Sequence, residues 1–524
     1  MPHHSGGMGI KMSDTKKLLK TAGFMTVATL LAKVCGLIRD MLIAANFATS
    51  YVGDAYMTAT KLPTTLFDLV IGGVITASFI PIFNGIMSKT DKQEAFEFAN
   101  KFIGMVLSVT ILITVVGMIF ASPLISALAP EFDRTTHELA SELTRIMFPM
   151  IIFTGLAFSF VGILQSFGEF NIPALMSLVS NAAVIIYFPL FGKRFGVWGL
   201  SVTMLIAWSL QVIIQIPSLK KTGFKFRPSF RLRDENIKAA LILAGPLLIS
   251  TWVQPLYSIV NTRIASGISG GVTMLEYANR LYTVLVGVFS FVVTNLIFPK
   301  LSVSNAKEDT DEAAKLLVTS LKSIAIIILP LMAFIIILSG PIISIIYEHG
   351  KFSSEDAYRT GMALSCYCVG MIGFSVNEIL AKAFFSKKNS KTPMFTAIIS
   401  MAANIAIAYS LSPMLGINGL ALASAGGSTV NAVLNYICMR KMYGKIFVHG
   451  DIVSIFKTLI CALITAAAVF VLYNVLKNTL AASLVGNIVI CAVSGLGALT
   501  VYALSAILLG VDEIKIIVNN FKER

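Results

Sequence analysis

The sequence predicts an all-α polytopic membrane protein with fourteen transmembrane helices, built as two pseudo-symmetric six-helix lobes followed by two C-terminal helices. Of its 524 residues, 56% are hydrophobic and only 13% are charged, a composition typical of polytopic membrane proteins and not of a soluble protein of this size. Apolar runs long enough to cross a bilayer recur along the chain, and the first half of the sequence is repeated in the second. These three observations define the fold class.

The predicted spans are apolar runs of about 20 residues or more, the length that crosses the hydrocarbon core of a bilayer. The first six lie at 21–46, 51–83, 102–121, 142–166, 172–191 and 197–218. Eight more follow a basic linker, at 237–265, 273–299, 317–339, 360–384, 393–411, 418–438, 453–474 and 483–510.

The chain repeats itself at a nearly constant offset. The most informative matches are Lys61-Leu62 with Arg280-Leu281, Pro123-Leu124-Ile125-Ser126 with Pro341-Ile342-Ile343-Ser344, Pro173 with Pro393, Gly196 with Gly416, and Gly199 with Gly419. Each repeat holds six spans, an even number, so both halves have the same orientation. An axis along the membrane normal would then relate them, with the site between them near the midplane.

The repeat and the linker define the domain organisation. We predict a cytoplasmic tail at 1–17, an N-lobe at 18–218, a basic cytoplasmic linker at 219–236, a C-lobe at 237–445, the last two spans at 446–511 and a second tail at 512–524.

The distribution of basic residues predicts the orientation of the chain in the membrane. The net charge is +14, but Lys and Arg lie in short loops between apolar runs rather than on a soluble basic domain with interleaved aromatic residues. A nucleic-acid partner is therefore excluded. With the N-terminus inside, most of these residues lie on the cytoplasmic side, as the positive-inside rule requires. We expect a multi-pass protein of the bacterial inner membrane with both termini cytoplasmic, and no cleaved signal peptide.

Charged residues inside the second predicted span follow a helical pattern. The residues that share one face at i, i+4, i+7 spacing are Asp54, Thr58, Lys61, Thr65, Asp68, Gly72 and Thr76. A charge near the bilayer centre costs roughly 2.5–3.5 kcal/mol. Such a stripe therefore faces a polar pathway or a partner helix.

Two further spans carry matching charges. Glu276 and Arg280 begin a polar face in the eighth span, and Lys33, Gly36 and Asp40 share a face in the first, with Arg39 beside it. The candidate substrate-binding cations are thus Lys33, Arg39, Lys61 and Arg280, and the candidate cavity acids or coupling groups are Asp40, Asp54, Asp68 and Glu276. The alternative is that these charges pair and lock helices together, and it is strongest for Asp40 and Asp54.

Catalytic and metal-binding patterns are missing from the sequence. There is no GxxxxGK[ST] phosphate loop, no loop long enough for a soluble catalytic domain, and no Cys, His and acid arrangement that suggests a nucleophile or a metal site. We expect a transporter without covalent chemistry, metal or cofactor. An intramembrane glycan-modifying enzyme is the alternative from a different class.

The run Leu31-Ala32-Lys33-Val34-Cys35-Gly36-Leu37-Ile38-Arg39-Asp40, followed by Asp54-Ala55, Lys61-Leu62-Pro63, Gly73 and Phe79-Ile80-Pro81, resembles the MurJ/MviN family of lipid II flippases in the MOP exporter superfamily. Ala278-Asn279-Arg280-Leu281 is similar to the family's A-D-R-L motif. The fourteen-helix plan also agrees, so the resemblance covers nearly the whole chain.

The resemblance implies a role for these cations. In that family, cations of helices 1, 2 and 8 line a central cavity and are thought to hold the pyrophosphate of the lipid. Here they correspond to Lys33, Arg39 and Arg280, with Lys61 as a further cation, and helices 13 and 14 would form a groove for the prenyl tail. Two positions depart from the family: Phe67 replaces an Arg and Gly72 an acidic residue, while Asp68 adds a negative charge.

The function implied is translocation of an undecaprenyl-pyrophosphate-linked peptidoglycan precursor, lipid II, from the inner to the outer leaflet by alternating access. Two alternatives remain: a MOP-type flippase for another lipid-linked glycan of capsule, teichoic acid or spore wall, and a cation-coupled drug antiporter. The expected partners are an anionic lipid-linked saccharide and the bilayer, and we expect a monomer. Na⁺, H⁺ and the membrane potential are all compatible with the acids present as the driving force.

Overall fold

The computed structural model describes residues 12–72, 75–230, 234–242, 252–307, 309–387, 389–444, 446–480 and 483–511. Gly73 of the motif, Arg231 and Arg233 of the linker, residues 1–11 of the first predicted tail and the tail at 512–524 lie outside these ranges. Every regular element within them is helical. The all-α prediction is therefore confirmed.

The helices follow one another with short connections. In the first half they are α1 (Met12–Phe47), α2 (Tyr51–Phe67), α3 (Ile80–Lys89), α4 (Lys92–Ile119), α5 (Ala121–Leu128), α6 (Arg134–Met147), α7 (Met150–Ser166), α8 (Asn171–Tyr187), α9 (Lys193–Ile213), α10 (Ile216–Thr222) and α11 (235–242). The second half holds α12 (Val253–Ala265), α13 (Gly271–Ala306), α14 (Thr310–Tyr347), α15 (Ser354–Cys368), α16 (Met371–Ser386), α17 (Lys391–Leu415), α18 (Ile417–Tyr443), α19 (His449–Thr479) and α20 (Leu484–Leu508). Three further segments are π-helical. Asp68–Gly72 extends α2, Ile75–Phe79 precedes α3, and Phe188–Gly192 joins α8 to α9.

Seven helices in the described part of the chain are long and apolar enough to cross a membrane, or eight if α15 and α16, bent by 44°, form one span. One of the seven runs from Asn171 to Thr222 over 52 residues and contains two of the predicted spans. The described helices thus cover the predicted spans, apart from residues 243–251 in the seventh span and short gaps elsewhere. The count of fourteen stays a prediction.

The repeat seen in the sequence has counterparts in the backbone. Gly196 and Gly416, which occupy matching places in the two repeats, have nearly the same unusual conformation, with φ and ψ of 51° and −136° in one and 58° and −132° in the other. Asp91 caps α4 by accepting from the Glu94 N–H. In the second half of the chain, Asp309 caps α14 by accepting from the Glu312 N–H. The two halves therefore share local structure as well as residues.

The helices form two compact units. The first unit comprises Met1–Leu42, Ala59–Ile125 and Glu138–Pro255, and the second comprises Ile43–Thr58, Ser126–His137 and Leu256–Arg524. The boundaries between the units fall inside α1 and α2, so each of these helices contributes to both. The predicted lobe boundaries stay a prediction.

In the first unit, an aromatic cluster joins α3 to α4. Phe79, from the Phe-Ile-Pro motif, is fully buried, and its ring lies 4.9–5.7 Å from the rings of Phe83, Phe98 and Phe102. Gly162 of α7 allows a close approach, because a Cβ there would lie 2.7 Å from the Phe79 ring. The motif residue thus anchors the end of the second predicted span.

In the second unit, polar side chains join the helices around α18. Asn435 of α18 donates to Asn377 of α16 at 2.7 Å and accepts from Thr396 of α17 at 2.8 Å. Ser290 of α13 bonds to Ser375 of α16 at 2.9 Å. Polar pairs of this kind are common between membrane helices and typically contribute about 0.6 kcal/mol each.

The basic linker between the repeats is docked on α4. Asn100 accepts from the Arg227 N–H through its side chain (2.8 Å) and from the Ser229 N–H through its carbonyl (3.0 Å), and its amide donates to the Lys225 carbonyl (3.1 Å). These three bonds hold residues 225–229 against α4.

A salt bridge fixes the far end of the docked segment. Lys101 Nζ lies 2.7 Å from Asp234 Oδ2. Burial acts to raise the pKa of Asp234, but Lys101 and the N–H groups of Asn236 and Ile237 together hold that pKa below its usual value. The carboxylate is therefore ionised at neutral pH and the bridge is intact.

We predict that Gly104→Ala releases this linker, because a Cβ at Gly104 would lie 2.0 Å from the Ser229 carbonyl oxygen. Overpacking of this kind costs about 1–3 kcal/mol. Hydrogen exchange of the Arg227 and Ser229 amides should therefore accelerate about tenfold or more. The matched control is Gly85→Ala in α3, where nothing lies within 4 Å and exchange in the linker should not change. Equal exchange in both variants would contradict the docked position.

Candidate functional site

Arg39 of α1 is held in place by two side chains of the first unit. Its Nε and Nη2 donate to Asp40 Oδ1 at 3.0 and 2.9 Å, and its Nη1 donates to Asn181 Oδ1 at 2.9 Å. The Asn181 amide in turn donates to the Ala32 carbonyl at 3.0 Å. Gly36 lies beside Asn181, and a Cβ there would make an ordinary contact with its amide at 3.4 Å. The guanidinium is thus oriented by both partners.

The Arg39 head group remains partly accessible. Its side chain is 24% exposed, whereas that of Asp40 is only 8% exposed. Three of the five guanidinium N–H groups bond to Asp40 and Asn181, which leaves up to two for an anion. Asp40 therefore both neutralises and positions Arg39.

The other charges of the first unit differ in exposure. Lys33 is exposed on α1, Lys61 is half-buried on α2, and Asp68 is exposed at the start of the first π-helical segment. That segment corrects the predicted stripe, because π-helical turns pair residues five apart rather than four. The regular α-helical face ends at Phe67, before Asp68.

Phe67, which replaces the Arg of the family, is a packing residue. Its side chain is 4% exposed and its ring stacks on Phe158 at 5.9 Å with an interplanar angle of 27°. The neighbouring Asp68 points instead to the surface of the first unit. The end of α2 is therefore apolar at Phe67, and the negative charge of Asp68 follows in the first π-helical segment.

Asp54 in the second unit is buried, 3% exposed, and caps another helix. Its Oδ1 accepts from the backbone N–H of Thr273 at 2.8 Å and from the Thr273 hydroxyl at 2.7 Å. Thr273 lies in the first turn of α13, where the N–H groups have no partner within the helix and the helix dipole favours a negative charge. Asp54 and Thr273 are related by the same offset as Lys61 and Arg280, so equivalent positions of the repeat contact each other.

Arg280 lies two turns further along α13. Its Nη2 contacts the Met57 sulfur of α2 at 3.7 Å, and both Arg280 and Glu276 are half-buried. Arg280 is the repeat equivalent of Lys61, and Met57 is the equivalent of Glu276. The second unit thus brings α2 and the start of α13 together.

Sequence reasoning missed two partners of these charges. Asn181 carries a recognisable signal, because it is the one amide side chain in the predicted span 172–191. Thr273 could have been found from the repeat itself, because it is the equivalent of Asp54. Pairing of equivalent residues is expected where a pseudo-two-fold axis passes between them.

The chemistry available in this arrangement is anion binding. Among the described residues, no group of three or more His, Cys, Asp and Glu side chains could hold a metal ion. Arg39 presents a positioned guanidinium, which binds phosphate oxygens in a bidentate manner. Ionisable groups in a predicted membrane span usually mark a substrate or ion path.

The fold is similar to those of two solved transporter structures. A solved structure described as the lipid II flippase MurJ in an inward closed conformation aligns with a TM-score of 0.79 at 24% identity, covering 93% of this chain and 99% of that one. An inward-facing multidrug resistance MATE transporter of the MOP superfamily aligns with a TM-score of 0.68 at 15% identity, covering 81% and 98%. Both show the shared fold.

The family follows from the sequence comparisons. The family model "Lipid II flippase MurJ" matches residues 43–490. A probable lipid II flippase MurJ of Rickettsia prowazekii is 30% identical over 442 residues, covering 83% of this chain and 86% of the relative. The lipid II flippase MurJ of Burkholderia cenocepacia is 28% identical over 439 residues, covering 82% and 84%. The chain belongs to the lipid II flippase MurJ family.

Proposed function

We propose that this protein translocates lipid II across the cytoplasmic membrane by alternating access, without covalent chemistry. The observation that carries the proposal is the positioned Arg39 guanidinium in a span of a MurJ family member. A pyrophosphate-linked saccharide has two or more negative charges, and arginine offsets them while binding the phosphate oxygens. The prenyl tail can remain in lipid while the head group crosses.

The site of the pyrophosphate is proposed at Lys33, Arg39, Lys61 and Arg280. Support comes from the sequence motifs, from the anchoring of Arg39 by Asn181, and from the matching places of Lys61 and Arg280 in the repeat. For Asp40 the geometry supports a positioning role. Asp68 and Glu276 are kept as candidate acids for coupling, with Na⁺, H⁺ or the membrane potential as the driving force.

The wider context is also proposed. The protein would act as a monomer, with both termini and the basic linker on the cytoplasmic side, because the positive-inside rule places the Lys-rich segments there. The two repeats would move relative to each other during transport, as in other transporters built from repeats.

We predict that this chain restores growth to bacteria depleted of their own lipid II flippase. In a matched assay, proteoliposomes containing the purified protein should move labelled lipid II between leaflets. Failure of the folded, membrane-inserted protein in both assays would contradict the proposal.

The buried Phe67 and exposed Asp68 favour one second candidate, another undecaprenyl-pyrophosphate-linked glycan. Faster transport of such a glycan than of lipid II would support that substrate instead.

A further inference from the structure

We propose that the linker segment at 220–230 is a binding surface for the head groups of anionic phospholipids. The segment contains four exposed cations, Lys220, Lys221, Lys225 and Arg227. It also contains two exposed aromatic rings, Phe226 and Phe230, with 47% and 61% of their surface accessible. The proposal concerns the membrane around the protein and not the transported lipid.

The backbone course explains how one short segment presents both kinds of side chain. Residues 224–230 belong to no helix, and their side chains divide between the interior and the surface. Phe224 is buried and its ring meets that of Phe96 of α4 at 5.4 Å. Phe226 touches the ring of Phe160 of α7 at 5.6 Å yet keeps about half of its surface accessible.

The docking on α4 sets the depth of the segment. The Ser229 backbone lies against Gly104, where it fills the space of a side chain, and Asn100 holds the two neighbouring peptides. Lys92–Ile119 is long and apolar enough to span a membrane, and Gly104 lies three to four turns after its start, or about 18 Å along the helix. The linker is thus fixed alongside a spanning helix rather than lying free in water.

The position of the segment beside a spanning helix, together with its cations and Phe rings, favours an anionic phospholipid as the partner. Clusters of Lys and Arg immediately beside a membrane helix attract anionic lipids, and exposed aromatic rings favour the boundary between head groups and hydrocarbon. Asp234, the first acid after the segment in the sequence, is bonded to Lys101 at 2.7 Å, so its charge is already paired. A soluble acidic protein would not require the exposed Phe rings at this depth.

The test uses the full-length protein in detergent, titrated with phosphatidylglycerol or with phosphatidylcholine, while bound lipids are counted by native mass spectrometry. The parent should bind phosphatidylglycerol more tightly than phosphatidylcholine, and salt should weaken that preference because it screens exposed charges. The variant Lys220→Gln/Lys221→Gln/Lys225→Gln/Arg227→Gln should require about tenfold more phosphatidylglycerol for half-saturation.

The matched control removes three exposed lysines and one exposed arginine elsewhere, as Lys307→Gln/Lys315→Gln/Lys441→Gln/Arg440→Gln. This control should bind within about twofold of the parent, because it changes net charge equally and leaves the linker intact. Phe230→Ser, which keeps every charge, should weaken binding about threefold through lost apolar contact. Unfolding midpoints in phosphatidylcholine alone verify that all variants are folded.

Two results would overturn the proposal: equal loss in the linker variant and the control, or no preference of the parent for phosphatidylglycerol. Both results are independent of transport, since lipid II is absent from the titration. Failure of lipid II transport would therefore leave this inference standing, and failure of this inference would leave the proposed transport standing.

Discussion

Arg39→Ala is expected to lower lipid II transport about 10- to 100-fold in proteoliposomes and to abolish the rescue of flippase-depleted cells. The expected factor follows from losing one or two charge-assisted hydrogen bonds to phosphate, about 1.5–3 kcal/mol, at about 1.4 kcal/mol per tenfold change. Arg280→Ala should have a comparable effect. Arg194→Ala is the matched control, because that side chain lies on the ring of Phe195 at the start of α9.

Arg39→Ala also removes the hydrogen-bond donor of Asp40 and Asn181. Asp40, with a side chain 8% exposed, would keep a carboxylate without the guanidinium, and a partly buried charge left this way destabilises the fold. The double variant Arg39→Ala/Asp40→Asn removes that charge and should recover the unfolding midpoint without recovering transport. If the double variant transports lipid II normally, Arg39 is a structural residue and the proposed site is wrong.

Arg39→Lys separates charge from geometry. Lysine keeps the positive charge, but it cannot bond simultaneously to Asp40 and Asn181 with the planar fork that arginine provides. Transport by this variant should therefore lie between those of the parent and Arg39→Ala.

Most of the helical plan could be predicted from the sequence, because apolar run length and the repeat are direct consequences of bilayer thickness and duplication. Gly196 and Gly416 are an example, since their repeat positions were visible in the sequence and both have the same positive φ. The motif Phe79 was visible too, and its burial follows from the aromatic residues around it.

Other features could not be read from periodicity. A π-helical turn such as the one at Asp68 changes which residues share a face, and it depends on packing rather than on residue pattern. The docking of the linker depends on Asn100, whose side chain imitates a backbone partner. Nothing in the local sequence distinguishes that asparagine from a solvated one.

The pairing of Arg39 with Asn181 was also out of reach, because it joins residues 142 positions apart. Charge composition identified the polar spans, and tertiary contacts determined which of these charges are buried, oriented or exposed. The candidate acids therefore differ in their surroundings. Asp40 positions Arg39, Asp54 caps α13, and Asp68 is exposed.

Asp54→Ala is expected to lower the free energy of unfolding by about 2–4 kcal/mol, because it removes the cap of α13 and leaves the Thr273 N–H buried without its acceptor. Asp54→Asn keeps an acceptor oxygen and loses only the charge, so it should cost about 1 kcal/mol. The measurement is the unfolding midpoint of the purified protein in detergent. Asp133→Ala is the control, since that exposed aspartate accepts from the Thr135 N–H at the start of α6 and should cost less.

A double-mutant cycle decides whether Asp54 acts through Thr273. Asp54→Ala and Thr273→Val should show a coupling energy of about 1–2 kcal/mol, because the two side chains share one hydrogen bond. A coupling acid would behave differently: Asp54→Asn would then abolish transport while leaving the unfolding midpoint unchanged. Because Asp54 is buried at the contact between equivalent positions of the repeat, we expect Asp54→Asn to keep most of the transport and Asp54→Ala to lose it together with stability.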